Sequence, residues 1–355
     1  MELPPLDTPY TLIDRDRLLA NLAAHQQRTR EQGIVSRPHA KTHKIPELAR
    51  LQLAHGAVGI TLATIGEAEV FVDAGITDIF LAYPLWLTPN KAQRLAALAE
   101  RASISMGVDS VAGIEQAANA LGSTQIGFLI EVDSGHHRSG CDPHAVEPLA
   151  AALAAHNLRC DGVFTYPGHS YHPDTKDSAS NDEVSALTIA TGILESAGYP
   201  VNRRSGGSTP SLHTTQGSLT ETRAGVYALG DAQQVELHTM TMEDVALSIV
   251  TTVVSSHGHK VVVDAGSKIM GADKAAWATG HGRVLDHPDA RIVAMSEHHA
   301  TIVFPDSGPT YVPGDILRVI PNHVCNAVNL VDSVTVISRG DPPEQWAVAA
   351  RGKNS

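Results

Sequence analysis

The chain has 355 residues, 43% of them hydrophobic and 18% charged, which describes a globular protein with a core large enough for one large barrel or two domains. Its formal net charge of −12 argues against a nucleic-acid partner and against an anionic membrane surface. Three scattered cysteines (Cys141, Cys160, Cys325) cannot build a disulfide framework and fit a reducing compartment, while 19 histidines point toward metal or acid–base chemistry. The N-terminal residues lack a basic region followed by an apolar core, and no apolar run approaches membrane-spanning length. A cytoplasmic enzyme is therefore the expectation.

In chain order, Tyr10 to Ile13 reads as a short strand, and Asp14 as the cap of a helix with apolar positions at Leu18, Leu19, Leu22 and Ala23. A two-part unit then recurs: a short apolar run followed by an Ala- and Leu-rich helical stretch. The expected strands cover 34–40, 57–63, 78–83, 103–108, 126–132, 162–166, 203–207 and 222–228. The expected helices lie near 44–55, 65–75, 89–101, 110–121, 143–156 and 182–198. Continuous apolar strands separated by amphipathic helices imply a parallel sheet covered by helices. Eight of them within about 200 residues predict an α/β fold of the (β/α)8 TIM-barrel type. From about Val245 the pattern becomes β-rich, with turn signals at Gly258, Gly266, Pro313-Gly314 and Gly340. The predicted division is a barrel over 15–244 and a mostly β domain built from 1–14 plus 245–355.

Functional groups of a parallel barrel sit at the C-terminal ends of its strands. Arg37-Pro38-His39-Ala40-Lys41-Thr42-His43-Lys44 occupies such a place, between a short apolar run and a helix. A solvated loop is the bland reading of so many charges. Pro38, which stiffens the chain just before Lys41, favours a fixed amine able to form a Schiff base with a carbonyl compound. Arg138, in Glu131-Val132-Asp133-Ser134-Gly135-His136-His137-Arg138, could donate to a phenolate or carboxylate, or could be part of a charged surface turn. Tyr166, heading Tyr166-Pro167-Gly168-His169-Ser170-Tyr171-His172, suits a planar ligand or an ordinary aromatic turn. Gly206, Gly207, Ser208 and Thr209 offer successive N–H groups and hydroxyls as an anion cradle, with a flexible loop as the alternative. An amine and an anion cradle together point to a cofactor bearing an aldehyde and a phosphate, and pyridoxal 5′-phosphate fits. The segment Thr222 to Tyr227 could complete the phosphate end. In Pro321-Asn322-His323-Val324-Cys325-Asn326, an extended chain would turn His323 and Cys325 to the same side, where imidazole and thiolate suit Zn²⁺ or another divalent ion. A buried cysteine beside an unrelated histidine is the alternative.

Taken together, the motifs around Lys41, Gly168-His169-Ser170-Tyr171, Gly206-Gly207-Ser208-Thr209-Pro210 and His323-Val324-Cys325 resemble the D-serine dehydratase / D-threonine aldolase family. That family belongs to the alanine-racemase-like, fold type III pyridoxal-phosphate enzymes. The resemblance runs in order across nearly the whole chain. It implies a barrel with a C-terminal β domain, and Lys41 as both catalytic residue and covalent anchor of the cofactor. It implies Arg138 near the ring oxygen, Tyr166 near the ring, and the Gly206–Thr209 loop with Tyr227 at the phosphate. It further implies a metal on His323 and Cys325, and a homodimer. A His-x-Cys pair accompanies the family's dehydratases, so the expected reaction is metal-assisted loss of water from a D-3-hydroxy amino acid, with D-serine giving pyruvate and ammonia. The competing expectations are a D-threonine or D-3-hydroxyaspartate aldolase or dehydratase, then an amino-acid racemase or a non-catalytic pyridoxal-phosphate carrier.

Overall fold

The computed structural model describes residues 3–213 and 217–355; the first two residues of the N-terminal segment read above lie outside them. The chain separates into two compact units. One comprises His25–Lys41, Leu48–Gly225 and Lys353–Ser355, the other Met1–Ala24, Thr42–Glu47 and Val226–Gly352.

The strand β1 (Tyr10–Asp14) and helix α1 (Arg15–Glu31) open the chain. Seven strands follow, β2 (Val35–Ser36), β3 (Ile60–Leu62), β4 (Asp78–Pro84), β5 (Ser103–Val108), β6 (Gly127–Glu131), β7 (Arg159–Phe164) and β8 (Arg203–Gly206), and then β9 (Glu221–Thr222). Between them run α2 (Pro46–Ala54), α3 (Ile65–Asp73), α4 (Pro89–Ala99), α5 (Val111–Leu121), α6 (Val146–Ala155) and α7 (Lys176–Ser196). Strands β2 to β9 form one parallel sheet in the order β2-β9-β8-β7-β6-β5-β4-β3. Its ends meet: Val58 N–H donates to Ser36 O and Thr61 N–H to Pro38 O, each at 2.9 Å. This is the expected TIM-type barrel.

Local signals explain the element starts. Thr64 accepts from Glu67 N while the Glu67 carboxylate takes the N–H groups of Thr64 and Ala63, a capping box that begins α3. Thr88 and Ser110 are simple N-caps of α4 and α5, accepting from the N–H groups of Lys91 and Gly113. Gly162 has φ +143, and a Cβ there would collide with the Arg203 carbonyl of the adjacent strand.

The N-terminal end of the barrel is filled by charge. Arg37 Nε donates to Glu221 Oε2 at 3.0 Å and its Nη1 to Asp78 Oδ1 at 2.6 Å. Arg203 donates to the other Glu221 oxygen at 2.7 Å and to Ser105 Oγ at 3.0 Å. Above this lattice lie Phe80, Ala82, Leu129 and Phe164, with the Arg203 guanidinium 5.0 Å from the Phe80 ring.

The second unit carries β10 (Leu247–His257), β11 (Lys260–Val263), β12 (Gly282–Val284), β13 (Arg291–Met295), β14 (Ala300–Val303), β15 (Ile316–Pro321), β16 (Ser333–Ile337) and β17 (Glu344–Ala347). Short helices α8 (Ala232–Glu236), α9 (Ser267–Met270) and α10 (Val324–Val328) accompany them. Strand β1 pairs antiparallel with β10 and parallel with β16. Val253, Val263, Ile292, Ile302 and Val319 centre its core. Among the described residues no helix is long and apolar enough to cross a membrane.

Three local expectations need correction. The run 222–228 is strand only as far as Thr222, followed by a 3-10 turn over Val226–Ala228. Its neighbour β2 runs into Pro38, which has no N–H to continue the ladder. Helix α2 starts at Pro46, not at residue 44, and Lys44 is left-handed at φ 56. Proline disfavours helical backbone in the residue before it and is well placed at the first helical position. His323 and Cys325 are not on an extended segment, because β15 stops at Pro321 and His323 is the N-cap residue of α10.

The buried lattice makes a test. Burial alone would raise the Glu221 carboxyl, but Arg37 and Arg203 outweigh it and hold its pKa at about 2, against an ordinary 4.5. Glu221→Gln leaves two arginines without their counter-charge and is expected to cost about 3–5 kcal/mol in denaturant unfolding at pH 7. Because the folded pKa is depressed, the carboxylate's contribution is complete above about 4.5 and drains away as the pH falls toward 2. Wild type should therefore lose stability more steeply than Glu221→Gln across that interval; parallel curves would contradict it.

Candidate active site

Lys41 sits in the 3-10 turn Ala40–Thr42. The segment leading to it is pinned on both sides: Arg37 N–H donates to Thr222 O at 2.9 Å and His39 N–H to Ala224 O at 3.2 Å, while Thr61 N–H donates back to Pro38 O. A cavity of about 460 Å³ opens at the C-terminal ends of the strands, lined by residues including Lys41, His39, Asp109, Arg138, Tyr166 and Arg223. That volume is within the range of small-molecule sites.

Tyr166 is the centre of this group. Lys41 Nζ lies 5.8 Å from its ring centroid and the Arg138 guanidinium 4.9 Å, while the His136 ring stands edge-on at 5.3 Å. Arg223 is buried; it donates from Nε to Ser205 Oγ at 2.9 Å and from Nη2 to Thr165 O, with Phe164 beneath it at 5.4 Å. Burial, then the charges of Lys41 and Arg223, push His39 well below the usual imidazole range, so it is neutral. Its Nδ1 is buried with no hydrogen-bond partner.

The Gly206–Thr209 loop is buried at the end of β8. The Gly207 N–H donates to Glu183 Oε1 at 2.5 Å and the Ser208 N–H to Ser211 Oγ at 2.9 Å, so these two groups already have partners in the protein. Gly207 has φ +79, and Thr222 Oγ1 beside it is buried without a partner. Tyr227 is buried on the 3-10 turn that follows Gly225, within the β-rich unit.

In that unit, the turn from β15 into α10 brings His323 and Cys325 into direct contact. His323 Nδ1 meets Asp273 Oδ2 at 2.5 Å, and Cys325 Sγ is 3.5 Å from the Oγ1 of Thr42, the residue that follows Lys41 in the chain. Burial disfavours a charged His323 ring, but Cys325, Asp231 and Asp273 outweigh that and raise its pKa to about 10. The surroundings thus favour a positive charge here. Among the described residues no group of three or more His, Cys, Asp or Glu is arranged around one metal position.

Comparison with known proteins decides the family. The model of the alanine racemase N-terminal domain matches residues 13–233, and that of the putative serine dehydratase domain matches 246–337. The D-threo-3-hydroxyaspartate dehydratase of Delftia sp. HT23 is 35% identical over 349 residues, covering 90% of this chain and 91% of the relative. Its solved structure superposes with a TM-score of 0.88 over 97% of both chains. The chain belongs to the D-serine dehydratase / D-threonine aldolase family. A D-threonine aldolase from Arthrobacter sp. is 32% identical over 99% of this chain and 94% of its own. The solved D-threonine aldolase of Filomicrobium marinum, 28% identical, reaches a TM-score of 0.89 over 98% of this chain and 96% of its own. Solved variants of D-threo-3-hydroxyaspartate dehydratase, 30% identical to this chain, replace a histidine and, two positions on, a cysteine by alanine, the latter in a metal-free form.

The residues of the family's cofactor pocket fit the group it implies. An amine, a neutral imidazole with an unpartnered nitrogen, two guanidinium groups and a phenol ring line one cavity of suitable size, with the amine and one guanidinium against that ring. At His323 and Cys325 the donor set, imidazole plus thiol, is of a type appropriate to zinc, and Asp273 meets the His323 ring at Nδ1.

Several residues around these sites escape pattern reading. Arg223 lies in the segment from Thr222 to Tyr227, which the sequence assigns to the phosphate end only as a whole, and its own signal is its place past a strand end. Asp109 likewise follows a strand, β5. Asp273 is fifty residues from its partner, and nothing local to it marks the contact.

Gly207 offers a direct check of the loop. With φ +79 and a Cβ directed at Thr222 Oγ1, Gly207→Ala is expected to lower stability by about 1–3 kcal/mol in denaturant unfolding. An unchanged midpoint would mean that the loop adopts a different backbone.

Proposed function

We propose that this chain is a metal-assisted, pyridoxal-phosphate-dependent lyase that dehydrates D-3-hydroxy amino acids, with D-serine as the simplest substrate. In this reading residues 15–244 are the cofactor-binding barrel, and 1–14 with 245–355 form the domain that bears the metal. The active form is a cytoplasmic homodimer.

When bound, the cofactor supplies an electron sink for the Cα carbanion and the metal a Lewis acid for the departing hydroxyl. Lys41 would hold the cofactor through its aldehyde, and its amine, when free, would be the base for the Cα proton. Arg138 would donate to the ring oxygen and Tyr166 would back the ring. Gly206, Gly207, Ser208, Thr209 and Tyr227 hold the phosphate, with the unpartnered Thr222 hydroxyl beside them. His323 and Cys325 hold the divalent ion, zinc by donor type.

The observation that carries the dehydratase reading is the contact of Cys325 with His323, together with the Cys325 thiol at Thr42, next in sequence to Lys41. A carboxylate in place of that thiol would favour the aldolase. The separate histidine and cysteine variants of D-threo-3-hydroxyaspartate dehydratase, two positions apart, support the same assignment. Identity to that enzyme favours a second reading of the substrate, D-threo-3-hydroxyaspartate.

Incubation with D-serine, D-threo-3-hydroxyaspartate and D-threonine, with zinc added or chelated, tests the proposal. The expected products are ammonia with pyruvate from D-serine or with oxaloacetate from hydroxyaspartate, lost on chelation while the cofactor stays bound. Glycine with an aldehyde would overturn the dehydratase reading, and dehydration unaffected by full metal removal would overturn the metal's role.

A further inference from the structure

Arg138 is an exposed side chain on the loop after β6, yet its guanidinium lies over the Tyr166 ring. A long, exposed arginine takes one orientation only where other groups fix it. The Tyr166 face is one such group. A second lies at the end of β6, where Glu131 is only 2% exposed and serves in no step above. A carboxyl is rarely buried this deeply unless it is paired. Glu131 accepts a hydrogen bond from Ser139, the residue after Arg138, and feels the charges of Arg138 and Arg223, with Asp109 as the opposing neighbour. Its Oε2 is buried with no hydrogen-bond partner.

Glu131, Arg138, Ser139 and Tyr166 also share a second, small cavity of about 10 Å³, room for one water at most. Burial pushes the Glu131 carboxyl up, and the Ser139 hydrogen bond and the two arginines act against it.

We propose that Glu131 is the positioning residue for Arg138: through its carboxylate, and through Ser139, it fixes the guanidinium over Tyr166, where it meets the anionic ring oxygen of the cofactor. The inference rests on the pyridoxal-phosphate reading above. Glu131 itself touches neither cofactor nor substrate in this account.

The test is a double-mutant cycle read by titrating apo-protein with pyridoxal 5′-phosphate, together with the pH titration of the bound cofactor's visible band. Glu131→Gln is expected to weaken binding about tenfold and to shift the band's titration, whereas in an Arg138→Ala background it should change binding less than about twofold. Glu131→Asp, which keeps the charge, should fall between wild type and Glu131→Gln, and it serves as the test should the glutamine variant fail to fold. Additive losses would overturn the proposal, as would wild-type affinity and an unshifted band in either Glu131 variant. Wild-type apo-protein that takes up no pyridoxal phosphate would overturn the cofactor reading itself, which the wild-type titration separates from a failure of Glu131 alone.

Discussion

The barrel depends on one buried carboxylate. Glu221, only 3% exposed, receives Arg37 from one neighbouring strand and Arg203 from the other, and through them it ties β9 to β2 and β8 and reaches Asp78 on β4 and Ser105 on β5. Such a cluster is costly to bury and costly to break, since every member loses its partner at once. It fixes the base of the ring and the register in which β2 enters it. Two residues past β2 the chain is still hydrogen-bonded on both sides, so Lys41 follows a segment with little freedom. A functional amine needs that rigidity behind it.

Charge separates the ends of the barrel. The N-terminal end balances its arginines with Glu221 and Asp78, whereas the cavity at the opposite end gathers Lys41, Arg138 and Arg223 around a neutral His39, with Asp109 as the acidic group in its lining. A chain of net charge −12 has thus concentrated cations at one internal place. That local field suits a ligand carrying a phosphate and a carboxylate, as the proposed function requires.

The barrel was legible because parallel strands are buried on both faces: β6 is buried at all five positions and is free of charge until Glu131 at its end. In the β-rich unit the signal weakened, since β12 has three residues and β17 exposes all but Trp346. The Lys41, Tyr166 and Arg138 group was visible as polar residues past strand ends. The geometry of His323 and Cys325 was not, because their contact comes from a helix N-cap held by Asp231, whose carboxylate takes the Val324 N–H at 3.1 Å. That Asp231 lies 93 residues away in sequence, and no spacing rule links them.

The central claim is that Lys41 carries a covalently bound pyridoxal phosphate. Reduction of the isolated protein with borohydride, followed by proteolysis and peptide mass spectrometry, tests it most directly. The account predicts a stable pyridoxyl-phosphate adduct on Lys41, and none on Lys44. An adduct on another lysine, or a protein that takes up no cofactor to reduce, would contradict it.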